Sequence, residues 1–260
     1  MSKLHSYPIY EHLLVVGATS ELFSFLVPKL IPYVKKFTCV GRDAEILKKL
    51  ELSYPKHIET VCLDLLNKDD FFSIQKLLST QEYDGLLQLQ GFGIYGRFET
   101  VDFQDHEKIF NLNFTIPAKI AHLFIRLQKQ PNKKKIILNA SSLAGEVYCP
   151  YLASYSAAKS ALTHLTKTLH IENLEHFICV ALCPKSFGQR FSFRASNGKF
   201  CNDNSINDYT KDVVDSFFKV LIQKKTKTFC TFFDWILSKL YFFVPKIILR
   251  RSFRHRLMRK

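Results

Sequence analysis

Between residues 12 and 183 short apolar runs alternate with longer amphipathic stretches, and this alternation limits the folds open to the chain. The runs are Leu13–Val16, Phe37–Val40, a third ending at Asp64, Gly85–Leu89, a fifth reading KIILNASS, and Phe177–Leu182. They are nearly continuous in hydrophobic character rather than alternating with polar residues. Strands of that kind are buried on both faces, as in a parallel sheet, and the stretches between them serve as crossover helices. The expected fold class is therefore α/β, a doubly wound parallel sheet with helices on both faces. A chain of 260 residues can bury one such core. Ligands of such sheets bind outside the carboxyl ends of the strands.

The segment following the fifth run carries the candidate chemistry. Tyr155 and Lys159 are four apart, so a helix from about Tyr151 onward places both on one face, one turn apart. An ammonium beside a phenol favours the phenolate and lowers the tyrosine's pKa toward neutrality. Such a phenol can give a proton to a developing alkoxide or take one from an alcohol. Ser142 stands at the carboxyl end of the preceding strand, where a ligand would lie.

The string LNASSLAGEVYCPYLASYSAAK resembles the active-site segment of the short-chain dehydrogenase/reductase family. There a strand ends in two serines, followed by a glycine, a proline and Tyr-x-Ala-x-Lys-x-Ala; Ala161 completes the match here. The resemblance covers most of residues 12–183 and thins out after about residue 190. It implies a Rossmann-type fold and NAD(P)-dependent reduction of a carbonyl or oxidation of an alcohol. Tyr155 is then the acid/base. Lys159 lowers its pKa and holds the nicotinamide ribose, Ser142 binds the substrate oxygen, and a helical asparagine completes a proton relay. Phe110-Asn111-Leu112 fits the family's Val-Asn-Leu step, so Asn111 is the expected relay residue, with Asn113 as the alternative. The family is commonly dimeric or tetrameric, so a homo-oligomer is expected.

The cofactor positions follow the same register, with departures. Gly17 closes the first strand, and Thr19 and Ser20 offer amides and hydroxyls at a helix N-terminus suited to phosphate. The family's two further glycines are replaced by Glu21 and Phe23. A carboxylate there repels a pyrophosphate, and Phe23 is expected to fill space a glycine would leave open. Arg42 follows the second strand, where an arginine suits a 2′-phosphate; this favours NADP over NAD. Asp64 takes the adenine-side position, with a helix cap as its competing role. The family's Asn-Asn-Ala-Gly becomes Gln88-Leu89-Gln90-Gly91, which keeps Gly91 for backbone contact but loses the sheet-stabilising asparagines. Pro184 is kept. Lys185 replaces the next glycine, and Gln189 or Arg190 stands for a threonine that contacts the nicotinamide amide. Residues 186–208 are expected to form a loop over the substrate. Its Phe187, Phe191, Phe193 and Phe200 point to an apolar substrate.

Seven scattered cysteines with no Cys-x-x-Cys pair fit a reduced, cytoplasmic protein without a metal site. No secretory signal opens the chain. The formal charge of +14 calls for an anionic partner, a nucleotide or an acidic membrane surface. Nucleic acid is disfavoured, since no binding module accompanies the charge. Much of the charge falls in a C-terminal helical, basic extension over residues 212–260, set apart from a dinucleotide-binding unit over residues 1–211. Its apolar stretch is broken by Asp234, Lys239, Pro245 and Lys246, so a spanning helix is not expected. Trp235, Phe242 and Phe243 followed by clustered arginines suit an interfacial helix on anionic lipid; a domain-covering or dimer-contact helix is the alternative. Two functions stand: an active NADP-dependent reductase, and an inactive nucleotide-binding or interaction protein whose altered glycine turn has lost its ligand.

Overall fold

The computed structural model describes residues 9–130, 133–185, 190–196, 198, 206–224, 226, 228–244 and 247–248. In it, six parallel strands form one sheet in the order β3-β2-β1-β4-β5-β6. In chain order the elements are β1 (Tyr10–Val16), α1 (Glu21–Leu30), β2 (Val34–Gly41), α2 (Ala44–Ser53), β3 (Ile58–Cys62), α3 (Lys68–Thr80) and β4 (Gly85–Gln88). Then come α4 (Phe103–Phe110), a π-helical turn (Asn111–Thr115), α5 (Ile116–Gln128), β5 (Lys135–Ala140), α6 (Ala153–Glu172) and β6 (Phe177–Leu182). They are followed by α7 (Arg190–Ala195), α8 (Ile206–Gln223), α9 (Phe232–Leu240) and a 3-10 turn (Tyr241–Phe243). The strand order reverses between β1 and β4, which opens a crevice at their carboxyl ends.

The apolar runs sort onto two faces because neighbouring residues of a strand point opposite ways. Leu13 and Val15 of β1 face a core shared with Phe23 of α1 and Val213 and Phe217 of α8. Leu14 and Val16 face the other core, with Ile74 of α3 and Phe124 of α5. All four of these β1 residues are fully buried, as expected of a central parallel strand. Helix α8 belongs to this body: besides its core residues, Asp215 pairs with Lys29 of α1 at 2.5 Å.

Helix α1 starts where Ser20 accepts a hydrogen bond from the Phe23 amide at 3.3 Å, which seats its first turn against the crevice. Between α4 and α5 the helical path widens for one turn. Pro117 has no N–H to give the carbonyl of residue 113, four back. Ile116 instead donates to the carbonyl of Asn111, five residues back.

Several boundaries differ from the sequence reading. The third strand ends at Cys62, and Asp64 forms the turn after it, accepting from the Leu66 amide at 3.1 Å. The stretch expected as a loop over residues 186–208 contains α7 among its described residues. Gln189, Phe187, Phe200 and the basic end from residue 249 onward lie outside the described residues.

The C-terminal segment returns to the sheet. Cys183, just past β6, donates to the Thr228 carbonyl at 2.7 Å and bridges Phe229 in parallel fashion. Ser216 of α8 donates to the Cys230 carbonyl at 3.0 Å. Thr231 then caps α9 in a reciprocal box with Asp234. The Asp234 side chain is fully buried and accepts from Tyr209 of α8 at 3.0 Å. Among the described residues no helix is long and apolar enough to cross a membrane, and no group of His, Cys, Asp or Glu could hold a metal ion.

Candidate active site

A cavity of about 450 Å³ occupies the crevice. It runs from Thr19, Ser20 and Glu21 at the start of α1, past Gln90 and Gly91 after β4, to Ser142, Tyr155 and Lys159, and ends among Phe191, Arg194 and Tyr241. Thus most of the residues singled out by the sequence share one cavity.

Each enters for a local reason. Ser142 caps the 3-10 turn Leu143–Gly145, accepting from the Ala144 amide at 3.2 Å, which holds its hydroxyl at the mouth of β5. Tyr155 and Lys159 share the buried face of α6 with Leu162, Thr163 and Thr166. Gly145 is needed where that turn meets α6, because a Cβ there would lie 2.7 Å from the Lys159 carbonyl carbon. Ser141 donates to the Lys159 carbonyl at 3.0 Å and ties β5 to the same helix turn. The Tyr155 ring rests on Phe191 of α7, centroids 5.0 Å apart.

The electrostatics depart from the simple expectation. Burial raises the Tyr155 phenol well above its ordinary value, with a hydrogen bond to Ser142 acting in the opposite sense. The expected lowering by Lys159 is not among the influences on the phenol; Ser142 supplies the one that lowers it. The Lys159 ammonium stands 5.9 Å from the phenol ring centroid and donates to the Ala140 carbonyl at 2.8 Å. Burial pushes the lysine itself down to about 8. In this state, therefore, the tyrosine is a protonated acid at neutral pH.

The two candidate relay asparagines differ in burial. Asn111 is exposed, whereas Asn113 is fully buried at the widened turn. Asn113 donates to the carbonyls of Phe92 and Ile109, each at 2.8 Å. A Cβ on Gly91 would lie 2.6 Å from the Asn113 amide oxygen and 3.1 Å from the Lys159 ammonium. Gly91 thus leaves room for both groups beside the loop after β4. The π turn, which precedes Pro117 four residues beyond Asn113, turns Asn113 rather than Asn111 inward.

The turn after β1 also differs in detail. Gly17 adopts a φ of +80°, and a Cβ there would lie 2.4 Å from the Gln90 amide nitrogen. Phe23 does not intrude on the turn; it is fully buried and meets Phe37 edge to face at 5.9 Å. Glu21 does line the cavity, and its carboxylate accepts from the Arg190 amide at 3.2 Å. Arg42 and Asp64 are exposed just past β2 and β3, outside the cavity wall. Pro184 and Lys185 line the cavity at the end of β6.

Nor is the sheet left without its amide stitch. Gln88 donates to the carbonyl of Pro117 and to the side chain of Asn139, both at 3.0 Å, and Asn139 donates to Thr166 at 2.7 Å. Strands β4 and β5 and helices α5 and α6 are thereby joined at the site's floor. The sequence offered Asn113 only as the alternative to Asn111, and did not single out Gln88, Gln90 or Tyr241 as site residues.

The arrangement suits a nicotinamide nucleotide. The side-chain oxygens of Gln90 and Asn113 are buried without a hydrogen-bond partner among the described residues. Buried acceptors are rarely left so in a finished site, and a ligand or water bound there would satisfy them. Thr19 and Ser20 at the N-terminus of α1 line one end of the cavity, just past the Gly17 turn, and Tyr155 and Ser142 stand at the other.

Residues 11–188 match the family model described as short chain dehydrogenase. A probable short-chain type dehydrogenase/reductase VdlC of Helicobacter pylori is 28% identical over 160 residues, covering 61% of this chain and 58% of that protein. The 3-ketodihydrosphingosine reductase of Bacteroides thetaiotaomicron is 26% identical over 162 residues, covering 61% and 58%. The match therefore spans little more than half the length of these relatives. A short chain dehydrogenase/reductase from Burkholderia phymatum, solved in complex with NAD, superposes with a TM-score of 0.75 at 17% identity, covering 95% of this chain and 97% of that one.

Proposed function

Because this chain belongs to the short-chain dehydrogenase family, we propose that it is an NAD(P)-dependent oxidoreductase that interconverts a carbonyl and an alcohol on an apolar substrate. The observation that carries the reading is that Tyr155, Ser142 and Lys159 line one cavity, with two buried amide oxygens, of Gln90 in its wall and of Asn113 behind Gly91, unpartnered among the described residues. A bound nicotinamide supplies or accepts a hydride. In the reducing direction Tyr155, held protonated by burial, gives its phenolic proton to the substrate oxygen, and Ser142 hydrogen-bonds that oxygen. The Lys159 ammonium stabilises the phenolate left behind. Asn113, rather than Asn111, offers its free amide oxygen beside Lys159, the place from which a water can return the proton.

Gly17, Thr19, Ser20 and Gly91 suit the phosphates and ribose of the cofactor. Arg42, exposed after β2, favours the 2′-phosphate of NADP, although the Burkholderia relative holds NAD. The substrate end of the cavity, walled by Leu152, Phe191 and Val147, favours an apolar body, and the relative acting on 3-ketodihydrosphingosine is consistent with one. The basic C-terminal tail favours contact with an anionic membrane surface. One observation favours the inactive alternative: the Glu21 carboxylate lines the end of the cavity where a pyrophosphate would lie.

Calorimetric titration with NADPH and with NADH, followed by turnover of a probe ketone, tests the reading. NADPH is expected to bind ahead of NADH, and Tyr155→Phe to abolish turnover while leaving binding intact. Undiminished turnover in that variant would remove Tyr155 as the acid. If neither nucleotide binds, the inactive reading takes its place.

A further inference from the structure

Helix α9 and the 3-10 turn after it present an unusual surface. Phe232 is 73% exposed, Phe233 60%, Leu240 56% and Phe243 83%, and Trp235 stacks on Phe232 with centroids 5.5 Å apart. Single exposed apolar residues are ordinary, but so many within twelve positions of one element are not. The element is not loosely attached. Its inner side is anchored by the Thr231–Asp234 cap, by Tyr209 and by the ring of Tyr241, whose hydroxyl donates to the Tyr148 carbonyl at 2.5 Å. Its aromatic face is thus held outward by a fixed inner face.

Charge identifies what such a face meets. Residues 235–260 contain eight lysines and arginines and no aspartate or glutamate. The only carboxylate of α9, Asp234, is fully buried and turned to the protein. An aromatic and apolar face followed by unopposed cations matches an interface of acyl chains under anionic headgroups. It does not match a second copy of itself, because two such segments would repel. The same 3-10 turn also reaches the site, since Tyr241 lines the cavity.

We propose that this face docks on an anionic lipid bilayer in the interfacial plane, with the cavity mouth beside Tyr241 turned toward the lipid. On the oxidoreductase reading given above, the substrate then enters from the membrane as an amphiphile. The docking itself does not depend on that reading.

Trp235 is the chain's one tryptophan and lies within the face, so it reports directly on the contact. The full-length protein is mixed with vesicles of phosphatidylcholine, with or without phosphatidylglycerol, some carrying brominated acyl chains. The expected result is a blue shift of Trp235 emission and quenching by the brominated lipid, on phosphatidylglycerol-containing vesicles only and reversed by high salt. The double variant Phe232→Glu, Phe243→Glu is expected to lower vesicle partition by about tenfold or more. Its far-UV circular dichroism should match the parent's, since both side chains are exposed. Unshifted emission with anionic vesicles would overturn the proposal, as would parent-like partition of the double variant. A blue shift on concentrating the protein without lipid would overturn it in favour of a contact between copies. Nucleotide titration of the same samples reports separately on the oxidoreductase reading.

Discussion

Replacing Lys159 by methionine isolates the energetic consequence of burying a cation in the site. The lysine is 3% exposed, and burial lowers its pKa from 10.5 to about 8. That displacement corresponds to about 3 kcal/mol of disfavour for the charged form in the folded protein. The sign follows from proton counting. Between about 8 and 10.5 the unfolded chain holds a proton on this lysine that the folded protein has released. Stability contributed by this group therefore rises with pH through that window and is level outside it. Methionine removes the titration but also removes the donor to the Ala140 carbonyl, a loss of about 1–3 kcal/mol at every pH. Near pH 7 the two effects oppose each other, and Lys159→Met should lie within about 2 kcal/mol of the parent. Near pH 11 only the lost hydrogen bond remains, so the parent should be the more stable. The clean observable is the difference between parent and variant, in which the other titrating groups cancel. It should grow in the parent's favour by about 3 kcal/mol from pH 7 to pH 11, measured by urea unfolding at closely spaced pH values. A difference that stays flat to within about 0.5 kcal/mol would refute the reasoning, because the ammonium would then be as well solvated folded as unfolded.

Gly17→Ala forces a side chain into a φ of +80° and to 2.4 Å from the Gln90 amide nitrogen, so it should cost about 2–5 kcal/mol in urea unfolding. Gly198→Ala has a similar φ but, among the described residues, nothing nearer than 3.5 Å, so it should cost only about 1–2 kcal/mol; equal losses would contradict the clash. Asn113→Ala should lose about 1–3 kcal/mol by stripping the Phe92 and Ile109 carbonyls of a donor, and turnover should fall at least about tenfold. Asn111→Ala should change stability by no more than about 0.5 kcal/mol; turnover lost with Asn111 and kept without Asn113 would return the relay to position 111. Asp234→Ala leaves the Thr231 cap but removes the carboxylate half of its box and the acceptor for Tyr209, and should cost about 1–3 kcal/mol. Limited proteolysis should then cut first near residue 231; an unchanged digestion pattern would mean that α9 is held by other contacts.

The core strands were legible because burial on both faces leaves a nearly continuous apolar run. Leu13–Val16, Phe37–Val40 and Phe177–Leu182 all fall within observed strands. The Tyr155–Lys159 pair was equally legible, since a four-residue step on a helix fixes a shared face wherever the helix lies. The burial of Asn113 rather than Asn111 was not legible, and Asn113 stood only as the alternative, because the one-turn widening before Pro117 changes the helical period locally and the neighbours of Asn111 give no sign of it.

Local spacing and periodicity thus determined the parallel sheet, the crevice at its strand ends and three of the side chains that meet there. Tertiary structure decided what depends on neighbours distant in sequence. It set the raised phenol and lowered ammonium, because desolvation is a property of the whole surrounding wall. It turned Phe23 into the core and gave Gln88 the stitching role, because each contact needs a partner from another element. It also brought Tyr241, more than eighty residues beyond Tyr155, to the same cavity, which no local pattern encodes because only the return of residues 228–230 to the edge of the sheet carries it there.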